Sequence, residues 1–397
     1  MNFRNDLIYD RTYAVVDLDA IRENITEAKK ALPHHMQFCA VVKADGYGHG
    51  APAVAKSIDD LVDMYAVATV EEGCILRQHG IWKPILNLGV VPESSYTLML
   101  EQDIMPSVFT LIQAEKIDRE AEKMGIIAPI TLAVDTGMGR IGILAEDPEG
   151  VATAEAIARM PHLSAEGIFS HFASADESDK RFAELQYRRF MNFTEALEQR
   201  GIHIPVKHCA NSAGILEGLG TEMDMVRDGI SLYGLYPSGE VDRTRIHLRP
   251  ALSWKANVSY VKTVPAGTTV SYGSIFTADR EMEIATLPVG YADGYPRALS
   301  NQAEVLIHGH RCRQLGRVCM DQIMVDVTGL GVKINDVATL LGRDGEEKIT
   351  LYDWEKFGLF RYEVLCNIRK RVPRVYIRNG GIVGTHNAYD EQYEDFL

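Results

Sequence analysis

From residue 38 onward, short apolar runs rich in β-formers alternate with stretches in which apolar residues recur every three or four positions. The runs Phe38–Lys43, Tyr65–Thr69, Ile85–Gly89, Met105–Phe109, Ile130–Asp135, Gly167–His171, Val206–Asn211 and Met225–Ile230 predict eight strands. Between them lie amphipathic helix patterns such as Thr110–Met124 and Arg181–Gln199. Eight strand–helix units over about 200 residues predict an α/β fold closed as a (β/α)8 barrel. A further strand at Tyr13–Asp17, followed by a helix at Leu18–Leu32, precedes the first barrel strand and is available to pair with a second domain.

The rhythm changes near residue 247. Beyond it come the alternating runs Leu252–Val264, Glu283–Pro288, Ala303–Ile307, Arg311–Leu315, Ile323–Asp326, Val337–Leu341 and Arg374–Tyr376. Turn signals at Pro265-Ala266-Gly267, His308-Gly309-His310 and Gly342-Arg343-Asp344-Gly345 punctuate them. The pattern predicts a barrel domain over 1–247 and a mostly antiparallel β domain over 248–397.

Composition narrows the function classes. The 397 residues are 46% hydrophobic and 24% charged, ordinary values for a globular chain, and the formal charge of −14 argues against a nucleic-acid or anionic-membrane surface. No run reaches the ~18 apolar residues that cross a bilayer, and Met1–Tyr13 has no apolar signal core. The six cysteines are scattered without a CxxC pair, which favours neither zinc nor disulfides. Cys39 and Cys209 lie in apolar runs and read as buried thiols. A reducing, cytoplasmic setting is expected.

Reactive residues of a barrel collect where its strands end. The first strand ends at Lys43, followed by Ala44-Asp45-Gly46-Tyr47-Gly48-His49-Gly50, whose glycines would let the backbone approach an anion. The fifth runs into Asp135-Thr136-Gly137-Met138-Gly139-Arg140, the sixth ends at Ser170-His171-Phe172, the seventh at His208-Cys209-Ala210-Asn211-Ser212, and the eighth contains Arg227-Asp228-Gly229-Ile230. Each side chain has an ordinary reading: a solvated lysine, a structural histidine, a helix-capping serine, arginines in surface ion pairs. Their convergence on one rim is the less ordinary fact. A desolvated lysine suits Schiff-base chemistry with pyridoxal phosphate. Ser212 and the amides of Gly229 and Ile230 can hold a phosphate, and Arg140 can grip a carboxylate in a fork.

The longer motifs Val42–Gly50, Asp135–Gly142, Val270-Ser271-Tyr272-Gly273, Val289–Tyr295 and Gly316–Gln322, in this order, make the chain resemble the bacterial alanine racemases, fold-type III pyridoxal-phosphate enzymes. The resemblance runs from about Thr12 to about Arg378. It implies that Lys43 carries the cofactor and is one base, with Tyr272, from the partner subunit of a homodimer, the other. It implies that Arg227 faces the pyridine nitrogen, that His171 supports Arg227 and the tyrosine, and that Asn211 belongs to the same cofactor-binding set. Tyr47, Ser212, Gly229, Ile230 and Tyr362 would hold the phosphate, while Arg140 and the Met320 amide face the substrate carboxylate. Asp176, Tyr291, Arg297 and Arg317 would line the access corridor. The implied role is supply of D-alanine, as for peptidoglycan.

Racemisation requires one base on each face of a flattened α-carbon. Lysine and tyrosine have ordinary pKa values near ~10, so both need a positive field to work near neutrality. An arginine at the pyridine nitrogen cannot release a proton, which weakens the ring as an electron sink and disfavours transamination.

Three positions depart from the family pattern. Ala133 stands where a bracing lysine is usual, so a bound anion such as chloride, or an acidic side chain, is expected beside Arg140. Asp228 stands where proline is usual and is expected to face outward, capping a helix or pairing with a cation. Phe360 and Arg361 precede Tyr362 and are expected to narrow or redirect the entrance. Alternatives are a serine racemase, a racemase of larger basic amino acids, a fold-type III diamino-acid decarboxylase, and a pyridoxal-phosphate carrier without catalysis.

Overall fold

The computed structural model describes residues 11–387. They form two compact units, one made of residues 20–46 and 51–250, the other of residues 11–19, 47–50 and 251–387.

The first unit holds β2 (Gln37–Val41), β3 (Met64–Val67), β4 (Ile85–Asn87), β5 (Ile104–Val108), β6 (Ala128–Asp135), the short β7 (Ile143–Leu144), β8 (Leu163–Phe169), β9 (Val206–His208) and β10 (Met225–Asp228). They pair in parallel in the order β10-β2-β3-β4-β5-β6-β8-β9, with β7 beside β6. Arg227 pairs with Cys39, which starts the ring. Where β9 and β10 form no ladder, the Arg227 N–H donates to the Ala210 carbonyl at 2.9 Å and the Asp224 N–H to the Lys207 carbonyl at 3.1 Å, so the barrel is nearly closed. These strands are buried on both faces, which is why they read as continuous apolar runs.

All eight predicted strands are present, but most stop short of their apolar runs. β2 ends at Val41, so Lys43 lies past the strand rather than at its last position. The helix Leu111–Met124 starts after Thr110, whose side chain accepts the Gln113 N–H, and ends at Gly125 with φ 67°. The helix Arg181–Gln199 has the predicted bounds. At the strands' N-terminal ends is a cavity of about 320 Å³ lined by Met64, Ile85, Met105, Thr131, Val206 and His208 among others.

In the second unit, β1 (Thr12–Asp17) pairs antiparallel with β11 (Leu252–Asn257), with Tyr13 opposite Lys255, and parallel with β21 (Arg374–Arg378). The remaining strands are β12 (Tyr260–Val264), β13 (Thr269–Val270), β14 (Phe276–Thr277), β15 (Met282–Leu287), β16 (Glu304–Ile307), β17 (His310–Leu315), β18 (Ile323–Asp326), β19 (Val337–Asp344), β20 (Glu347–Ile349) and β22 (Gly381–His386). Their order is β12-β15-β18-β17-β16-β19-β11-β1-β21-β22, with β20 on β19 and a separate β13–β14 pair. The run predicted over 252–264 is two strands, because Val258 and Ser259 turn their N–H groups to Asp336 and Thr286. At the β16–β17 hairpin, His308 and Gly309 have φ 53° and 75°, the left-handed pair a tight hairpin needs. Tyr295 packs edge-on between Trp254 and Trp354 in the core of this unit.

Candidate active site

The residues singled out from the sequence fall into two groups, one in each unit. Lys43, Arg140, His171, Asp176, Asn211, Ser212, Arg227, Gly229 and Ile230 belong to the barrel, while Tyr47, Tyr272, Tyr291, Arg297, Arg317, Met320 and Tyr362 belong to the other unit.

In the barrel, Lys43 opens a single left-handed turn: Ala44, Asp45 and Gly46 have φ between 52° and 62°, and Tyr47 follows at 52°. The turn is clamped by the Gly46 N–H on the Val42 carbonyl at 2.8 Å. The Ala44 N–H donates to Glu72 at 2.7 Å and the Ala51 N–H to Asp45 at 2.9 Å. Beyond the turn, a Cβ on Gly48 would lie 2.4 Å from the Leu365 carbonyl oxygen, and one on Gly50 1.9 Å from the Tyr376 hydroxyl. The close approach that Gly48 and Gly50 permit on their Cβ side is to protein.

Arg227 is the electrostatic centre. It is buried at the end of β10, and no carboxylate pairs with it among the described residues. Its guanidinium donates to His208 Nδ1 at 2.5 Å and to the carbonyls of Ser170 (2.8 Å), His208 (3.2 Å) and Cys209 (3.2 Å). It also reaches His171 Nδ1 at 3.3 Å. No protein acceptor among the described residues takes its Nε–H. Burial pulls its pKa down to about 10.

Because arginine can only donate, both histidines meet it as neutral acceptors. His171 is held well below its ordinary pKa first by burial, then by the charges of Arg227, Arg140 and Lys43. Three cations thus converge on one neutral imidazole. His208 is depressed by burial and by Arg227, and stacks on Phe169 at 5.4 Å. It joins Arg227 to the cavity at the barrel's base. Sequence reasoning passed over His208, although a histidine inside a buried strand run was a visible signal. Asn211, rather than Ser212, caps the helix Ser212–Glu217, through the Gly214 N–H. Burial raises the Cys39 and Cys209 thiols to about 12, so they are inert packing groups.

The expected outward orientation of Asp228 is wrong. Asp228 is fully buried and forms no ion pair among the described residues. Its Oδ1 accepts the Ser212 hydroxyl at 2.9 Å and the Ser231 hydroxyl, and Ser212 Oγ in turn accepts the Gly229 N–H at 2.9 Å. These bonds fix the backbone at Gly229, but no side chain caps the turn at Ile230–Tyr233, so neither the capping nor the cation-pairing part of the expectation holds. Asp228 Oδ2 has no partner. Near Arg140, Ala133 is buried and no acidic side chain pairs with the exposed arginine among the described residues, so the acidic-brace expectation fails. Asp135 instead turns inward on its own loop, accepting the Gly137 and Gly139 N–H groups.

In the other unit, Tyr272 is 68% exposed on a one-turn helix, and a Cβ on the neighbouring Gly273 would lie 2.8 Å from Arg317. The Met320 N–H has no acceptor among the described residues, while its carbonyl accepts the Ala292 N–H at 2.9 Å. The Tyr291 loop is anchored by buried Asp293, which takes Arg11 at 2.5 Å and Arg371 at 3.0 Å. Arg371 also reaches Asp321 at 2.8 Å, tying the Met320 loop to the same anchor. Tyr47 and Tyr362 have ring centroids 6.3 Å apart, and Phe360 stacks on Tyr362 at 4.8 Å. Arg361 is buried, paired with Glu355 and stacked over Tyr352, so its charge is spent inside the unit and not at an entrance.

Residues 16–237 match the model of the alanine racemase N-terminal domain and residues 251–376 that of the C-terminal domain. The chain belongs to the alanine racemase family. Within the family it is 45% identical to the alanine racemase of Methanococcus maripaludis over 92% of this chain and 98% of that protein. It is 42% identical to the alanine racemase of Clostridium novyi over 94% and 97%. Among solved structures, the Clostridium difficile 630 alanine racemase superposes with a TM-score of 0.90 at 38% identity, covering 95% of this chain and 98% of that one. The Bacillus anthracis family member with bound L-Ala-P gives 0.88 at 36%, covering 96% and 99%.

Proposed function

We propose that this protein interconverts L-alanine and D-alanine as a homodimer with pyridoxal 5'-phosphate. The observation that carries the reading is buried Arg227 at the end of β10, its guanidinium fixed by His208 Nδ1 at 2.5 Å and His171 Nδ1 at 3.3 Å and met by no carboxylate among the described residues. The donor set fits the cofactor: Arg227 has an Nε–H without a protein acceptor, as a pyridine nitrogen requires, and the Ile230 N–H is likewise without an acceptor among the described residues. When bound, the cofactor supplies an electron-withdrawing ring that acidifies the substrate Cα–H.

Lys43 Nζ takes or returns the proton at Cα on one face. Tyr272 Oη of the partner subunit does so on the other, and the two exchange roles with the direction of reaction. Arg227 holds the ring nitrogen without protonating it, His171 supports Arg227 and the tyrosine base, and Asn211 belongs to the same cofactor-binding set. Arg140 and the Met320 N–H bind the substrate carboxylate. Tyr47, Ser212, Gly229, Ile230 and Tyr362 hold the phosphate, and Asp176, Tyr291, Arg297 and Arg317 line the access corridor. None of the six cysteines forms a disulfide, which supports a reducing, cytoplasmic setting.

The test offers the cofactor-loaded protein L-alanine, L-serine and L-lysine and follows loss of optical rotation, with Lys43→Ala and Tyr272→Phe as controls. Preference for serine or lysine, or release of carbon dioxide, would overturn the alanine assignment.

A further inference from the structure

A phosphate-binding loop next to a buried carboxyl group is an odd combination, and the geometry around Asp228 explains how the two coexist. Ser212 Oγ is shared by three groups: it donates to Asp228 Oδ1 at 2.9 Å, accepts the Gly229 N–H at 2.9 Å and lies 3.4 Å from the Ser231 N–H. The Ser231 hydroxyl ends on the same Oδ1. One carboxyl oxygen thereby fixes two hydroxyls and, through Ser212, the Gly229 amide. The Ile230 N–H is left outside this web. We propose that Asp228 is a positioning residue for the cofactor's phosphate, its Oδ1 locking Ser212, Ser231 and Gly229 into one arrangement before the phosphate arrives. This rests on the cofactor reading above.

The orphaned Oδ2 indicates how the carboxyl avoids repelling a phosphate. A charged carboxylate with one oxygen buried and unpartnered is costly, and a proton on the group removes that charge. Burial drives Asp228 in that direction. A proton on Oδ2 leaves Oδ1 as the acceptor of both serine hydroxyls, so the web is kept and no charge accumulates beneath the phosphate.

The experiment compares binding of pyridoxal 5'-phosphate with binding of phosphate-free pyridoxal to cofactor-stripped protein, read from the visible absorption band. Asp228→Ala is expected to weaken pyridoxal phosphate by about tenfold or more, one lost hydrogen-bond anchor, and to leave pyridoxal unchanged. Asp228→Asn, which imitates the neutral acid, is expected to stay within about threefold of the parent for both ligands. Ser231→Ala removes one anchored hydroxyl and carries the same test if Asp228→Ala does not fold. Equal loss of both ligands in Asp228→Ala, or no loss of either, overturns the proposal. So does tighter pyridoxal phosphate binding in Asp228→Asn, the result of removing a repelling anion. If the parent protein itself gives no band and no borohydride trapping at Lys43, the cofactor reading has failed, and that is visible before any variant is made.

Discussion

Lowering the pH toward about 5 should destabilise this protein through buried His208, as through His171, before its surface carboxylates respond. His208 is 1% exposed, and burial with Arg227 beside it keeps it neutral in the fold. In the unfolded chain it titrates near ~6.5. A histidine depressed by folding contributes its full stability above that unfolded value and loses it as pH falls, because the unfolded state takes up a proton the native state refuses. The slope is about 1.4 kcal/mol per pH unit, so about 2 kcal/mol is lost by about pH 5. His208→Gln keeps an oxygen for the Arg227 N–H and removes the titration. It also loses the ring stacked on Phe169, which costs about 1 kcal/mol at every pH. Urea unfolding of parent and variant across this window, followed by circular dichroism, isolates the one residue, since all other groups cancel in the difference. The two stability curves should cross at about pH 6, with the variant about 1 kcal/mol the more stable by about pH 5. Parallel curves from pH 7 to 5 would refute the reasoning.

Three further outcomes are expected. Lys43→Ala and Tyr272→Phe should each lower racemisation by about 10³-fold or more in both directions, measured by polarimetry, because each removes one of the two faces' bases. Arg374→Met should destabilise by about 3–5 kcal/mol in a urea melt, since Arg374 is buried and donates to the carbonyls of Gly48, Arg369, Val372 and Ile368, all of which would lose their donor. Raising chloride at constant ionic strength should lower KM for alanine and leave kcat unchanged, as a brace on Arg140 would; a flat response would remove the anion from the site.

The barrel was legible because a parallel sheet covered on both faces writes its strands as unbroken apolar runs. Where those strands stop was not, because Cys209 and Gly229 continue the pattern after the ladder bonds have ended. A strand's last residue is set by where its neighbour's hydrogen bonds run out. Lys43, His171, Arg227 and Tyr272 were legible from type and position. Asp228 was misread because a carboxyl reads as polar surface unless its partners are known, and those partners, Ser212 and Ser231, are hydroxyls rather than cations. The Arg11–Asp293–Arg371 anchor joins residues from opposite ends of the chain, and no local pattern encodes it. Arg361 was read as entrance charge because its counter-ion Glu355 lies on the preceding helix, reached only once the chain turns at Gly358.

The segment after Lys43 has the mirror-image hand of an ordinary helix. For L-residues this conformation costs about 1–2 kcal/mol each, and Ala44, Asp45 and Tyr47 all adopt it. The backbone just beyond the reactive amine is therefore a wound spring, kept from relaxing by Glu72 and Asp45. Evolution at 44–47 is confined accordingly: glycine, asparagine or aspartate can be accommodated, whereas a valine or isoleucine would uncoil the turn and carry the lysine out of place.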